Sequence, residues 1–126
     1  MYRIMAVEDD PMMQMLLRDV IRGSGHEFVL CKSGQEALAT AGEQPDLVLL
    51  DIHLPDMNGK DVCRALKTNP ATKHIPVIML TGEARSLEER VSGFEVGADD
   101  YLLKPISPKA LSARILSLVR LGTRPT

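Results

Sequence analysis

The strongest constraint in this chain is the run Asp46-Leu47-Val48-Leu49-Leu50, which closes on Asp51 and opens into Ile52-His53-Leu54-Pro55-Asp56-Met57-Asn58-Gly59. Apolar residues without polar alternation mark a strand covered on both faces, and such strands belong to parallel sheets. A carboxylate stands where the chain must leave the sheet, and Pro55 and Gly59 keep the loop from continuing as regular structure. In open α/β sheets ligands bind outside the carboxyl ends of the strands, so Asp51 stands where chemistry is usually done. Taken alone, such an Asp reads more readily as a helix cap or a solvated loop acid. The other strand ends decide between these readings.

Four more apolar runs surround the first. Tyr2–Val7 reads as a strand ending in Glu8-Asp9-Asp10, and Pro11 then suits the first position of a helix that Asp10 is able to cap. Met13, Leu16, Leu17, Val20 and Ile21 recur at helical spacing until Gly23-Ser24-Gly25 stops them. Glu27–Cys31 is a second strand, and Ser33 begins a helix with Ala37, Leu38 and Ala41 on its apolar side, closed by Gly42 and Pro45. After Gly59, Val62, Cys63 and Leu66 mark a third helix, broken at Asn69-Pro70. Ile75–Leu80 is a fourth strand ending in Thr81-Gly82, with Pro76 tolerable near its start. A polar helix over 86–95 follows, then a fifth strand, Asp100–Leu103, ending in Lys104-Pro105. The last helix begins at Ser107-Pro108 and carries Leu111, Ile115, Leu118 and Val119 on its core side. Five such alternations predict one (βα)5 unit, a doubly wound parallel five-stranded sheet with helices on both faces.

The 126 residues suffice for one domain and one core. A net charge of -2 and an aromatic content of 3% argue against this domain gripping nucleic acid by itself, by phosphate neutralisation or by base stacking. No run is long and apolar enough to span a bilayer, and no signal-peptide pattern opens the chain. Cys31 and Cys63, widely spaced in apolar surroundings, read as reduced core residues of a cytoplasmic protein.

The predicted strand ends deliver Glu8 and Asp9, Asp51, Thr81 and Lys104 to one edge of the sheet. Three carboxylates brought together repel one another, by several kcal/mol per close pair where screening is poor. A hard divalent cation relieves that repulsion, and Mg²⁺ favours one or two carboxylates, waters and a phosphate oxygen. Lys104 and the Thr81 hydroxyl suit further phosphoryl oxygens, and Gly82 leaves room for the group to approach. Singly, Lys104 reads as a solvated lysine, Thr81 as a turn residue and the acid triplet as a cap. Together they describe a phosphoryl-transfer site.

In this order and spacing, Val7-Glu8-Asp9-Asp10-Pro11, Asp51 through Gly59, Met79-Leu80-Thr81-Gly82 and Gly97-Ala98-Asp99-Asp100-Tyr101-Leu102-Leu103-Lys104-Pro105 resemble the receiver domain of bacterial two-component response regulators. The resemblance covers nearly the whole chain, with residues 1–122 as the domain and 123–126 as a tail or the start of a linker. It implies the flavodoxin-like strand order 2-1-3-4-5. It implies Asp51 as phosphoacceptor from a sensor histidine kinase or phosphotransfer protein, with Mg²⁺ held by Asp9, Asp51, the His53 backbone carbonyl and, through water, Glu8. Thr81 and Lys104 would hold phosphoryl oxygens. Thr81 and Tyr101 would switch together, biasing an existing equilibrium of the face built from the fourth helix, fifth strand and last helix.

The sequence departs from the family at several places. His53 and Glu83 stand two residues after Asp51 and Thr81, where family side chains overhang the phosphate and influence its lifetime. Ile106 replaces a common Phe. On the output face Arg90, Glu95, Asp99, Asp100 and Arg114 resemble the charges through which winged-helix relatives form homodimers. Ala110 and Leu116 replace a Glu and a Lys of that network. Leu116, off the core stripe, and Leu121 suggest a more apolar face for a second subunit or for an output domain beyond Thr126.

Other functions fit less well. An aspartate-based phosphatase needs an acid two residues after its nucleophile, where His53 stands, and a cap domain. A flavodoxin-like binding module needs a phosphate loop after the first strand, where three acids stand. A receiver serving only as an unphosphorylated interaction module has no need of the intact set Asp51, Thr81 and Lys104. The expected function is a signalling switch, with no catalysis beyond its own phosphoryl acceptance and hydrolysis.

Overall fold

The computed structural model describes residues 1–81 and 96–122, the side chains of residues 121 and 122 apart. Its strands are β1 (Arg3–Val7), β2 (Glu27–Cys31), β3 (Leu47–Asp51), β4 (Val77–Thr81) and β5 (Asp100–Leu103). Its helices are α1 (Pro11–Gly23), α2 (Gly34–Thr40), α3 (Gly59–Thr68) and a C-terminal helix (Pro108–Gly122), with a 3₁₀ turn at Ala41–Glu43. The predicted helix over 86–95, with Arg90 and Glu95, lies outside the described residues, as do Gly82, Glu83 and residues 123–126.

The sheet is parallel in the order β2-β1-β3-β4-β5, the doubly wound flavodoxin-like arrangement expected. Alternation along the strands splits the core into two layers. Met5, Val7, Val48, Leu50, Val77 and Met79 face α2 and α3, meeting Ala37, Val62, Cys63 and Leu66. Ile4, Ala6, Leu47, Leu49, Ile78 and Leu80 face α1 and the C-terminal helix, meeting Leu17, Ile21, Leu111, Ile115 and Val119. Every residue of β3 and β4 is buried, which is why these two runs carry no polar alternation. Cys31 and Cys63 are buried free thiols, and burial raises the titration of both, Cys63 to about 11. Among the described residues no helix is long and apolar enough to cross a membrane.

Local details differ from the sequence reading. β1 starts at Arg3, not Tyr2, and β4 starts at Val77, so Ile75 and Pro76 precede the strand. Pro76 has no N–H to donate and joins the sheet only through its carbonyl, which accepts the Val48 amide at 3.0 Å. Asp10 holds the cap position of α1, but its side chain makes no capping bond there. Leu38 is 38% exposed, because the buried side of α2 runs through Gly34 and Ala37 and on to Ala41 of the 3₁₀ turn, and Leu38 lies beside it.

Candidate functional site

The strand register assembles the site. Val7 pairs with Leu50 and Asp51 with Leu80, so Glu8 continues β1 at the level of Asp51. Thr81 pairs with Leu103, which puts Lys104 one step further along the same edge. The side chains of Glu8, Asp9 and Asp51 converge, each offering an oxygen within 4.8 Å of the others. Lys104 Nζ reaches Glu8 Oε1 at 3.0 Å and Asp51 Oδ2 at 3.4 Å. These contacts join residues 96 and 53 positions apart in the chain, so the cluster exists only once the sheet is complete.

Backbone amides fix the acids. Asp51 Oδ1 accepts the His53 amide at 3.2 Å, and Glu8 Oε2 accepts the Asp10 amide at 3.2 Å. Glu8, not Asp10, is thus the carboxylate that meets the backbone at the entrance to α1. Gln14 Nε2 donates to the Glu8 carbonyl at 2.8 Å from the first turn of that helix.

The electrostatics are unbalanced. Glu8 is fully buried, Asp51 nearly so and Asp9 exposed. Burial pushes the Glu8 carboxyl up to about 7, and the neighbouring Asp51 adds to this against the pull of Lys104. For Lys104, burial acts to lower the titration, but Glu8 and Asp51 outweigh it and raise it, so the amine stays cationic. Lys104 therefore meets two buried acids with Asp9 beside them, and burial leads one of the two, Glu8, to take up a proton near neutrality. A small oxygen-liking divalent cation fits this donor set, since it supplies the missing charge and all three acids offer hard ligands.

Thr81 is buried at the end of β4, and its carbonyl accepts the Lys104 amide at 2.7 Å. Tyr101 is partly buried against the layer of α2 and α3. His53 is exposed in the β3–α3 loop, where it bridges to Asn58. The Gly59 amide donates to the Ile52 carbonyl at 2.6 Å, folding the loop back onto the end of β3.

The output-face residues do not gather in one place. Asp100 on β5 is bonded to Arg114 of the C-terminal helix. Asp99 instead turns to the other layer, accepting Lys67 Nζ at 2.9 Å and the Val77 amide at 2.8 Å. Leu116 is 39% exposed, but it is two residues from Arg114 and so about 200° around the helix. Its near neighbour on that side is Ser112, whose hydroxyl meets Ser24 at the end of α1 at 2.9 Å. Arg114 and Leu116 therefore leave the helix by different flanks.

Two contributions had no signal in the sequence reading. One is Glu8 as the closest partner of Lys104. The other is Asp56, whose carboxylate accepts the Gly34 amide at 2.8 Å and the Gln35 amide at 2.9 Å, across 22 and 21 positions of the chain.

Comparison with known proteins agrees with this architecture. The chain is 44% identical over 119 residues to the DNA-binding response regulator MtrA of Mycolicibacterium smegmatis, covering 94% of this chain and 50% of that protein. It is 36% identical over 119 residues to the alkaline phosphatase synthesis transcriptional regulatory protein PhoP of Bacillus subtilis, covering 94% of this chain and 48% of that one. The chain thus spans about half the length of the curated relatives it matches. Among solved structures, a putative response regulator from Chloroflexus aurantiacus superposes with a TM-score of 0.89 at 34% identity, covering 94% of this chain and 98% of that one. The receiver domain of a sensor histidine kinase from Pseudomonas aeruginosa, with magnesium coordinated in its active-site cleft, superposes with a TM-score of 0.86 at 28% identity over 94% and 98% of the two chains. The sequence model of the response regulator receiver domain matches residues 4–116, and the chain belongs to that family.

Proposed function

We propose that this receiver domain is a phosphorylation-dependent switch of a two-component phosphorelay and that Asp51 is its phosphoacceptor. The observation that carries the reading is the convergence of Glu8, Asp9 and Asp51 at the carboxyl edge of the sheet, with Lys104 bonded to Glu8 and Asp51. In the transfer, a carboxylate oxygen of Asp51 attacks the phosphorus of a phosphohistidine on a sensor kinase or phosphotransfer protein. The P–N bond breaks, the imidazole leaves and takes up a proton, and Asp51 becomes an acyl phosphate. Asp9, Asp51 and the His53 carbonyl would hold Mg²⁺, with Glu8 acting through water. The ion supplies the positive charge that offsets the phosphoryl oxygens and the acids. Lys104 adds a fixed cation, and the Thr81 hydroxyl donates to a phosphoryl oxygen.

The output follows from the same strand ends. Engagement of Thr81 and Lys104 pulls on β4 and β5, and Tyr101 on β5 repacks with them, so phosphorylation favours one arrangement of the face that includes β5 and the C-terminal helix. Residues 1–122 form the switch. The relatives named as DNA-binding and transcriptional regulators, about twice as long, support an output domain beyond Thr126 as the controlled element. Homodimerisation through Arg90, Glu95, Asp100 and Arg114 is the proposed route, and Leu116, on another flank of the C-terminal helix, offers a separate apolar contact to a second subunit or to that domain. Leu116→Glu is expected to weaken assembly of the phosphorylated protein in sedimentation. An unchanged oligomeric state and unchanged partner binding would remove Leu116 from the interface.

The test of the main reading is incubation with Mg²⁺ and acetyl phosphate, followed by detection of an acid-stable, base-labile phosphate. The wild type is expected to label. Asp51→Asn, and wild type with chelator, are expected to stay unlabelled. Equal labelling in either control overturns the assignment.

A further inference from the structure

The loop between β3 and α3 is held at two places. At its end, the His53–Asn58 bridge and the Gly59 amide on the Ile52 carbonyl fold it against β3. In its middle, the Asp56 carboxylate spans to the start of α2, one oxygen on the Gly34 amide at 2.8 Å and the other on the Gln35 amide at 2.9 Å. Ser33 Oγ takes the next amide, that of Glu36, at 3.1 Å. The first three amides of α2 are thus satisfied by two side chains, and two of them by a residue of a different loop. The adjacent Met57 lies directly over Gly34, where an added Cβ would collide with its side chain.

These bonds, to Gly34 first and Gln35 second, hold the exposed Asp56 carboxyl below the usual carboxylate range, so it is anionic wherever the protein is folded and neutral or basic. An anion at the amino end of a helix is favoured by the helix dipole as well as by the two N–H donors. Both Asp56 oxygens are engaged by α2 amides, and the residue is not one of the clustered acids Glu8, Asp9 and Asp51. Its effect is on the four-residue path His53-Leu54-Pro55-Asp56, which begins at a residue whose amide bonds Asp51 at 3.2 Å.

We propose that Asp56 is a positioning residue for the phosphoacceptor loop, docking it on the first turn of α2 so that the backbone of His53 is held toward the cation site. The proposal rests on the reading of Glu8, Asp9 and Asp51 as a Mg²⁺ site. Groups that orient a ligand without touching the metal typically change its affinity by about tenfold or more when removed. The same logic applies here to a carbonyl ligand carried on a loop.

The test is a calorimetric titration of Mg²⁺ into the unphosphorylated protein, with wild type, Asp56→Ala, Asp56→Asn and Ser33→Ala compared at one pH. Ser33→Ala removes the other cap of the same helix without touching the loop, so it reports what weakening α2 does by itself. Asp56→Ala is expected to raise the Mg²⁺ Kd about tenfold. Asp56→Asn, which keeps one carbonyl acceptor, is expected to fall between Asp56→Ala and wild type, and Ser33→Ala to stay near wild type. A Kd for Asp56→Ala within about twofold of wild type overturns the proposal. So does an equal shift in Ser33→Ala, which would mean that helix stability alone is at work. If Asp56→Ala does not fold, Asp56→Asn decides: an affinity equal to wild type overturns the proposal and a weaker one supports it. Wild type that fails to bind Mg²⁺ at all overturns the reading of the site, a result distinct from wild type binding while the Asp56 variants bind equally well.

Discussion

Replacing Glu8 by Gln should stabilise the metal-free protein above neutral pH and leave it almost unchanged in mild acid. The folded Glu8 carboxyl titrates at about 7 against a reference value of 4.5, with burial as the leading cause. Between those two values the folded chain binds a proton that the unfolded chain has released, so stability falls as pH rises through this window. The direction is opposite to that of a carboxylate stabilised by a salt bridge. Each pH unit of the gap is worth about 1.4 kcal/mol, giving a penalty of about 3 kcal/mol that is absent below 4.5 and fully developed above 7. No discount for solvent screening applies, since the Glu8 side chain is 1% exposed. An amide in its place would keep the shape and carry no charge, so Glu8→Gln should lack this slope. Urea unfolding of both proteins from about pH 5 to about pH 8, in chelator, gives the difference directly and cancels the shared titrating groups that do not contact Glu8. Added Mg²⁺ should flatten the wild-type slope, because the cation removes the reason for Glu8 to take up a proton. A difference between wild type and variant that stays constant across that pH range would refute the reasoning.

Two further outcomes follow from the packing. Gly59→Ala should lower stability by about 1–3 kcal/mol in thermal or urea unfolding, because the new methyl group meets the Asp51 carbonyl and the Ile52 Cα, which are backbone and cannot yield. Gly42→Ala, with open space around it, is the control expected to show no such loss. The Cys63 thiol, buried and raised to about 11, should resist alkylation at about pH 8 in the native protein and react once the protein is denatured; rapid native labelling would show that the layer under α3 opens readily.

The fold was legible because its central strands advertise themselves. Leu47–Leu50 and Val77–Leu80 are covered on both faces, so their residue types alone mark them as interior parallel strands. β5 was found at its observed bounds because Asp100 and Lys104-Pro105 bracket an apolar core. The errors lie where one residue type serves two roles. Pro76 is permitted at a strand entry by its φ angle, but its missing N–H leaves only the carbonyl to join the ladder. Asp10 has the right side chain for a cap and stands at the cap position, but its carboxylate makes no bond to the helix amides. Leu38 has the right residue type for a core face, but that face is taken by Gly34, Ala37 and Ala41. The acid cluster was legible because its members sit at the end of a recognisable strand or within two residues of one. Asp56 on α2, Lys67 on Asp99 and Ser24 on Ser112 were not, since each joins residues far apart in the chain whose types carry no mark of their partner.

The placement of Lys104 has a consequence for how the domain fluctuates. It is delivered by β5, the shortest strand at four residues, which borders only β4 and has no residue fully buried. Strands at a sheet margin open more readily than those between two neighbours. When β5 peels away, Glu8 and Asp51 stay on the interior strands β1 and β3 and lose their lysine, while the rest of the sheet stands. The breathing of a marginal strand is thereby converted into a change of charge balance at the carboxyl edge of the interior strands, and amide exchange in β5 becomes a direct gauge of how firmly the acids are neutralised.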